Sequence, residues 1–241
     1  MSLPLVSCIM PTKGFVGPNA SLVRREFVEV AVEYFLRQSY SNKELVIVAD
    51  EPWPSCPSEY ETPDRVRWLR GPAGVTLGAK RNWCVEHARG DLIAHWDDDD
   101  WYGPERLERQ VAAMQAQAAE VCGLDCPRFY DLASGNSYRY ETVRAYAYSA
   151  TLMYTREYWG RSPFPDIQVG SATPFVWGPG RLSRAAILSD SDWYVGIAHG
   201  SNTSRKEFNR SEYRRWPSVE PVIGADWSFY QGLRERMGVA A

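Results

Sequence analysis

Four consecutive carboxylates, Asp97-Asp98-Asp99-Asp100, form the segment of this 241-residue chain best equipped for chemistry. Left bare, they repel one another, so the run must be solvated or neutralised. In an extended or turning backbone alternate residues point the same way, so Asp97 and Asp99 can share one cation while Asp98 faces elsewhere. Carboxylate oxygens suit hard cations such as Mg²⁺ and Mn²⁺, which also accept phosphate oxygens. A solvated acidic turn is the plainer alternative. The flanks favour the cation: the apolar run Asp91-Leu92-Ile93-Ala94-His95-Trp96 leads straight into the carboxylates, and Trp101-Tyr102-Gly103-Pro104 follows. A metal ion holding a diphosphate is the chemistry this context fits.

The elements that must position these groups alternate between strand and helix. Leu5 to Met10 is a short apolar run stopped by Pro11, the pattern of a buried strand. After a Gly/Pro/Asn loop, Lys13 to Ala20, Ser21 can cap a helix reaching about Gln38, with Phe27, Ala31, Tyr34 and Phe35 at helical spacing. Glu44 to Ala49 is a second buried strand, ending at Asp50. Trp53 to Asp64 is a Pro- and Ser-rich loop, Val66 to Leu69 a short strand, and Leu77 to Ala88 a helix ended by Gly90. Pro104 starts a long helix, Glu105 to about Glu120. The second half is less regular: Tyr138 to Thr155 reads as one or two longer strands, and Ser162 to Gly180 as loop. The alternation predicts an α/β fold, a Rossmann-like, mostly parallel sheet with helices on both faces. No repeat or linker divides it, so one domain over residues 1–241 is expected. Ligands in such sheets bind at the carboxyl ends of strands. Pro11-Thr12, Asp50 and Asp97–Asp100 end the first, second and fourth strands, and meet along one edge if those strands are neighbours.

Composition narrows the classes. Hydrophobic residues make up 44% of the chain, enough for a sizeable core. A formal net charge of −3, from 27 basic and 30 acidic residues, gives no reason to expect nucleic acid as a partner. No apolar run approaches the ~18 residues of a membrane span. Met1-Ser2-Leu3-Pro4 does not open a signal peptide, so a cytoplasmic location is expected. Cys8, Cys56, Cys84, Cys122 and Cys126 lack zinc-site spacing and read as reduced thiols. The 10 Trp and 14 Tyr suit core and rim positions, and their planes also stack on sugars and bases.

Several segments together resemble family 2 glycosyltransferases. Val6-Ser7-Cys8-Ile9-Met10-Pro11-Thr12 resembles their opening strand, and Glu44 to Asp50 a second strand ending in an Asp that contacts the nucleotide. Gly78-Ala79-Lys80-Arg81-Asn82 is similar to their Gly-x-x-Arg-Asn segment. Gly90 to Trp101 matches the strand carrying their Asp-x-Asp motif. Order and spacing agree across residues 5 to 110. Thr151-Leu152-Met153-Tyr154 resembles an acceptor-side strand more loosely. The resemblance implies a single-domain GT-A fold: residues about 1–110 bind a nucleoside-diphosphate sugar, usually uridine-linked, and residues about 111–241 face a hydroxyl-bearing acceptor. It implies a nucleotide site of Pro11, Thr12, Asp50, Gly78, Arg81 and Asp97, and a metal site, Mn²⁺ or Mg²⁺, of Asp97 and Asp99. His199, in His-Gly-Ser-Asn-Thr-Ser, resembles a histidine that reaches the metal or diphosphate in some GT-A enzymes, and a neutral imidazole is a reasonable ligand for Mn²⁺.

One departure bears on the reaction. Inverting members carry a Glu-Asp pair on an acceptor-side loop, and its Asp takes the acceptor's proton. Alignment over Phe164 to Phe175 puts that pair on Ser171-Ala172, neither of which can act as a carboxylate base. Asp226 and Asp166 are the carboxylates that context offers instead, although Asp226 also reads as a helix N-cap. The expected activity is therefore metal-dependent, inverting sugar transfer, and the rival a glycosyltransferase-like protein that binds nucleotide or sugar with impaired turnover. A nucleotidyltransferase fits less well, because the chain lacks a Gly-rich, basic first loop.

Overall fold

The computed structural model describes residues 3–13, 22–50, 65–141, 147–178 and 184–238. The elements of its first half are β1 (Val6–Thr12), α1 (Leu22–Leu36), β2 (Lys43–Ala49), β3 (Val66–Arg70), α2 (Leu77–His87), β4 (Leu92–His95), β5 (Trp101–Tyr102) and α3 (Arg106–Gln117). There follow β6 (Val121–Leu124), β7 (Arg128–Asp131), β8 (Asn136–Tyr140), β9 (Met153–Thr155), α4 (Arg156–Arg161) and α5 (Ala172–Trp177). The chain continues through β10 (Ala185–Leu188), β11 (Tyr194–Ala198), β12 (Tyr213–Trp216), α6 (Glu220–Ile223) and α7 (Trp227–Arg236).

Seven strands form the central sheet in the order β10-β6-β9-β4-β1-β2-β3. β1 pairs in parallel with both β2 and β4, and β2 with β3. Only β9 runs against its neighbours. Every residue of β2 is buried, as expected of a parallel strand covered on both faces. Side chains alternate between two cores. Val6, Cys8, Met10, Leu45 and Ile47 pack with Phe27 and Phe35 of α1 and Val111 of α3. Ile9, Val46, Val48 and Ile93 pack with Cys84 and Val85 of α2, Tyr158 of α4 and Phe175 of α5. Helices thus cover both faces, and each fully buried aliphatic side chain contributes about 1.5–3 kcal/mol.

A second sheet, β12-β8-β7-β11-β5, has no counterpart in the sequence reading. Its strands have two to five residues and carry aromatic and arginine side chains on both faces, so no clean hydrophobic alternation marks them. The stretch expected as longer strands, Tyr138 to Thr155, yields the end of β8, a helical turn at Ser149–Thr151 and β9; residues 142–146 lie outside the described ones. The turn forms because Thr151 Oγ1 donates to the Tyr148 carbonyl (2.8 Å) and accepts from Leu124 N–H (3.0 Å), satisfying backbone groups a strand would have paired. The expected loop after Ser162 includes α5. The expected loop at 53–64, the cap Ser21 and Cys56 lie outside the described residues; Cys8, Cys84, Cys122 and Cys126 are free thiols. Among the described residues no helix is long and apolar enough to cross a membrane.

The Gly78–Asn82 segment opens α2 and clamps the loop that leads to α5. Gly78 N–H donates to the Ile167 carbonyl (3.2 Å), and Asn82 both donates to the Phe164 carbonyl and accepts from Phe164 N–H (2.9 Å each). A Cβ on Gly78 would lie 2.0 Å from the Pro165 carbonyl oxygen, so the backbones touch there and only glycine fits. Gly78→Ala is expected to cost about 1–3 kcal/mol, a fall of roughly 2–10 °C in melting temperature by calorimetry. An unchanged melting temperature would show that the loop yields freely.

Candidate active site

Because β4, β1 and β2 are parallel neighbours, their carboxyl ends gather at one edge. There Pro11, Thr12, Asp50, Arg81, Asp97 and Asp99 line a cavity of about 620 Å³, a size that suits a small-molecule site. The acidic run alternates. Asp98 and Asp100 are buried, while Asp97 and Asp99 are half-buried in the cavity wall. Asp98 Oδ2 accepts from Thr12 Oγ1 at 2.5 Å. Asp100 accepts from the Tyr194 hydroxyl (2.6 Å) and Ile197 N–H (2.9 Å) of β11. Burial pushes the Asp97 carboxyl up to about 6, with the Arg81 charge opposing and the Asp99 and Asp98 charges adding. Burial, then the Asp99 and Asp97 charges, lift Asp100 well above the carboxylate range.

Beneath the run lies Arg106, fully buried. It donates to the His95 carbonyl at 2.7 Å and to Gln110 Oε1 at 3.0 Å, and its guanidinium lies 4.4 Å from the Tyr102 ring centre and 5.0 Å from that of Trp96. It thereby fixes the end of β4 against α3.

His199 Nε2 lies 2.9 Å from Asp99 Oδ2, and Asn202 Nδ2 donates to the same oxygen at 3.1 Å. Ser201 N–H points at Nδ1 (3.3 Å), which puts the ring proton on Nε2, facing Asp99. The ring stacks on Phe27, with centroids 5.1 Å apart, and lies behind Asp99 rather than among the cavity-lining residues. Among the described residues no three carboxylate, imidazole or thiol groups converge as a preformed metal cage. All four carboxylates border the cavity; Asp98 and Asp100 are buried and engaged by Thr12 and by Tyr194 and Ile197, which leaves the half-buried Asp97/Asp99 pair as the more exposed donor set. That set fits Mg²⁺ or Mn²⁺, which bind through one or two carboxylates and take their remaining ligands from phosphates and water.

The other predicted residues divide. Asp50 lines the cavity but forms an ion pair with Lys80, whose ammonium also donates to the Thr12 carbonyl at 3.3 Å. Arg81, buried, donates to Ser171 Oγ at 3.0 Å and Ser149 Oγ at 3.1 Å. Ser171 and Ala172 open α5 in the cavity wall, both buried. Gly78 is not a lining residue: its close approach to Pro165 places it in the packing behind the cavity. Asp226 lies outside the lining, ion-paired with Arg37 (Nη1 at 2.8 Å) and accepting from Trp101 Nε1 at 2.8 Å. Burial would raise this carboxyl, but the hydrogen bonds from Arg37 and Trp101 outweigh it and hold it below its ordinary range. Asp166, exposed, accepts from Thr76 Oγ1 at 2.5 Å at the start of α2.

Lys206 was missed. It lines the cavity, with its ammonium 5.2 Å from the Tyr148 ring centre and 5.7 Å from that of Phe129. Burial lowers its pKa, while the charges of Asp100, Asp97 and Asp99 oppose that. Its neighbour Phe208 lies flat on Tyr138, with centroids 4.1 Å apart, and pins the loop to the second sheet. In sequence Lys206 is one cation in a polar loop; a basic residue soon after His199 is the only signal it leaves.

The sequence model described as Glycosyl transferase family 2 matches residues 19–191. The chain belongs to that family. It is 34% identical over 110 residues to EpsE of Bacillus subtilis, named as a glycosyltransferase, a match covering 41% of this chain and 39% of EpsE. It is 32% identical over 121 residues to WcaA of Escherichia coli K12, named as a colanic acid biosynthesis glycosyl transferase, covering 46% and 38%. These matches span about two fifths of the relatives' length. Among solved structures, S. aureus TarS 1–349 in complex with UDP-GlcNAc is similar with a TM-score of 0.63 at 15% identity, covering 83% of this chain and 60% of that one. The mannosyltransferase PcManGT of Pyrobaculum calidifontis, in complex with GDP-Man and Mn²⁺, gives 0.56 at 17%, covering 80% and 56%. The fold is the one these enzymes share.

The Tyr194–Asp100 bond ties the acidic turn to β11. Tyr194→Phe leaves a buried Asp100 oxygen without its donor, an expected loss of about 1–3 kcal/mol in urea denaturation at unchanged slope. Full stability of the variant would show that water or a shifted backbone replaces the hydroxyl.

Proposed function

We propose that this chain transfers a sugar from a nucleoside-diphosphate donor, uridine-linked, to an acceptor with inversion, using Mn²⁺ or Mg²⁺. The observation that carries the proposal is the pair Asp97 and Asp99, presented on alternate residues at the strand ends and facing one cavity with Asp50, Arg81 and Lys206. TarS and PcManGT, solved with UDP-GlcNAc and with GDP-Man and Mn²⁺, support a nucleotide-sugar donor and a divalent cation. Residues 1–241 then act as one domain with a donor half and an acceptor half.

In this reading Asp97 and Asp99 hold the cation, which when bound neutralises charge on the leaving diphosphate. Lys206, desolvated and across from them, adds a second positive charge to the same group. Pro11, Thr12 and Asp50 line the nucleoside end, where the ion pair with Lys80 orients Asp50. His199 and Asn202 orient Asp99 from behind, a supporting hydrogen-bond layer of the kind that commonly tunes metal ligands.

A second reading has its own support. Ser171 and Ala172 occupy the cavity wall where an acidic pair is expected, so proton removal from a hydroxyl acceptor would lose the roughly 10²–10⁴-fold that a positioned base contributes. The chain would then bind donor and turn over slowly.

Calorimetric titration of UDP with Mn²⁺, repeated in chelator, tests the first reading. Affinity is expected to fall at least about tenfold without metal, the loss of a charge-assisted contact, and Asp99→Asn should reproduce that fall. Lys206→Met should weaken UDP about tenfold while leaving uridine unaffected. Equal UDP affinity with and without Mn²⁺ would remove the metal from the proposal.

A further inference from the structure

The back of the second sheet carries an unbalanced row of charges. In register across three adjacent strands, Arg214 of β12 stands opposite Arg139 of β8, and Arg139 stands opposite Arg128 of β7. Directly opposed side chains on an antiparallel pair share a face and start about 5 Å apart, and like charges so placed destabilise the sheet. Trp216 lies on the same face, two residues along from Arg214. Its indole carries two guanidinium groups, Arg128 at 5.0 Å and Arg139 at 5.4 Å. Phe129, next to Arg128 on β7, lines the cavity, so alternation turns the arginine row to the opposite face.

The carboxylates nearby do not balance this charge. Glu141, exposed, is shared between Arg139 (3.9 Å) and Arg214 (3.7 Å), at the outer limit of an ion pair. Asp190 and Asp192 act on Arg128 from farther off and pair instead with Arg109, at 3.2 and 2.7 Å, so among the described residues no carboxylate forms an ion pair with Arg128. Cys126 hydrogen-bonds Arg139, and burial lifts its thiol, so it brings no charge. The Nε–H groups of Arg128 and Arg139 are buried and meet no acceptor among the described residues. Both side chains are half-buried, so water screens their repulsion less than at an open surface.

Three guanidinium groups against one shared carboxylate leave two positive charges over. A phosphate monoester carries about −1.5 to −2 at neutral pH and has three oxygens free for hydrogen bonds. Guanidinium forks match that geometry. A carboxylate brings one charge and two oxygens, too few for the row. We infer that Arg128, Arg139 and Arg214 form a binding site for a phosphate monoester group on the back of the second sheet, separate from the cavity and independent of the glycosyltransferase reading. The phosphate lies among the three guanidinium ends and replaces their repulsion with shared attraction. Stacking on Trp216 holds Arg128 and Arg139 in place beforehand, so little side-chain freedom is lost on binding.

The test follows thermal unfolding of the full chain in chelator, with inorganic phosphate against sodium chloride at matched ionic strength, and titrates phosphate by calorimetry. Phosphate at ten times its dissociation constant should raise the melting temperature by about 3–6 °C. Arg128→Met and Arg139→Met keep an apolar stem on Trp216. Each should weaken phosphate at least about tenfold and, in phosphate-free buffer of low salt, melt no lower than the unmodified chain, because the repulsion leaves with the charge. Arg128→Lys should keep part of the affinity. Lys206→Met, in the cavity, should leave phosphate binding unchanged. Glycerol phosphate bound as tightly as inorganic phosphate identifies a soluble ester. Sedimentation with vesicles of phosphatidic acid but not of phosphatidylcholine, lost in Arg128→Met, identifies a lipid headgroup. No rise specific to phosphate, an undiminished response in both methionine variants, or a response lost with Lys206→Met would overturn the site. A clear fall in the melting temperature of both methionine variants without phosphate would make the row a structural element and overturn it as well.

Discussion

Thr12 Oγ1 donating to Asp98 Oδ2 is the contact on which the cavity depends, because it joins the end of β1 to the turn after β4 from the inside. A run of four carboxylates can persist only if most of its charge is answered. Asp98 is answered by Thr12 and Asp100 by Tyr194 and Ile197, which fixes the backbone phase of the turn. Strand-like alternation then leaves Asp97 and Asp99 the more exposed of the four carboxylates that border the cavity. Arg106 secures the same turn from below by holding the His95 carbonyl and stacking on Trp96 and Tyr102.

Charge is arranged in layers around that turn. Lys80 answers Asp50, His199 and Asn202 brace Asp99, and Arg37 pairs with Asp226 outside the cavity lining. Two of the cations in the wall, Arg81 and Lys206, stand on different elements. Arg81 comes from α2 and leans on the start of α5, whereas Lys206 comes from the loop after β11 and rests between the Phe129 and Tyr148 rings. A ligand with negative charge at two places along its length would meet a cation at each.

Helix α2 couples the two halves mechanically. Gly78 through its backbone N–H and Asn82 through its side-chain amide grip the loop from Phe164 to Ile167, and Arg81, between them on α2, reaches Ser171. The motif that family resemblance assigns to nucleotide binding is thus divided in this fold: Lys80 and Arg81 line the cavity, while Gly78 and Asn82 hold the loop that leads to α5 in place.

The sequence by itself determined the alternating first half, its buried strands and the strand ends at which polar residues had to gather. Those features are local: a seven-residue apolar strand or an amphipathic helix is written in consecutive residues, and a parallel sheet then follows from their order. Family membership was legible for the same reason, since its motifs lie at those strand ends. Tertiary structure alone decided the second sheet, whose strands are too short and too aromatic to show a period. It also decided where lone charges went. Asp226 and Lys206 look alike as isolated ionisable residues in polar surroundings, and nothing nearby in the chain separates them. Arg37, 189 residues away, neutralises the first, and a loop pinned by Phe208 on Tyr138 carries the second into the cavity. A charge's role depends on the partners that folding brings within a few ångströms, and such pairings are not encoded in any one segment.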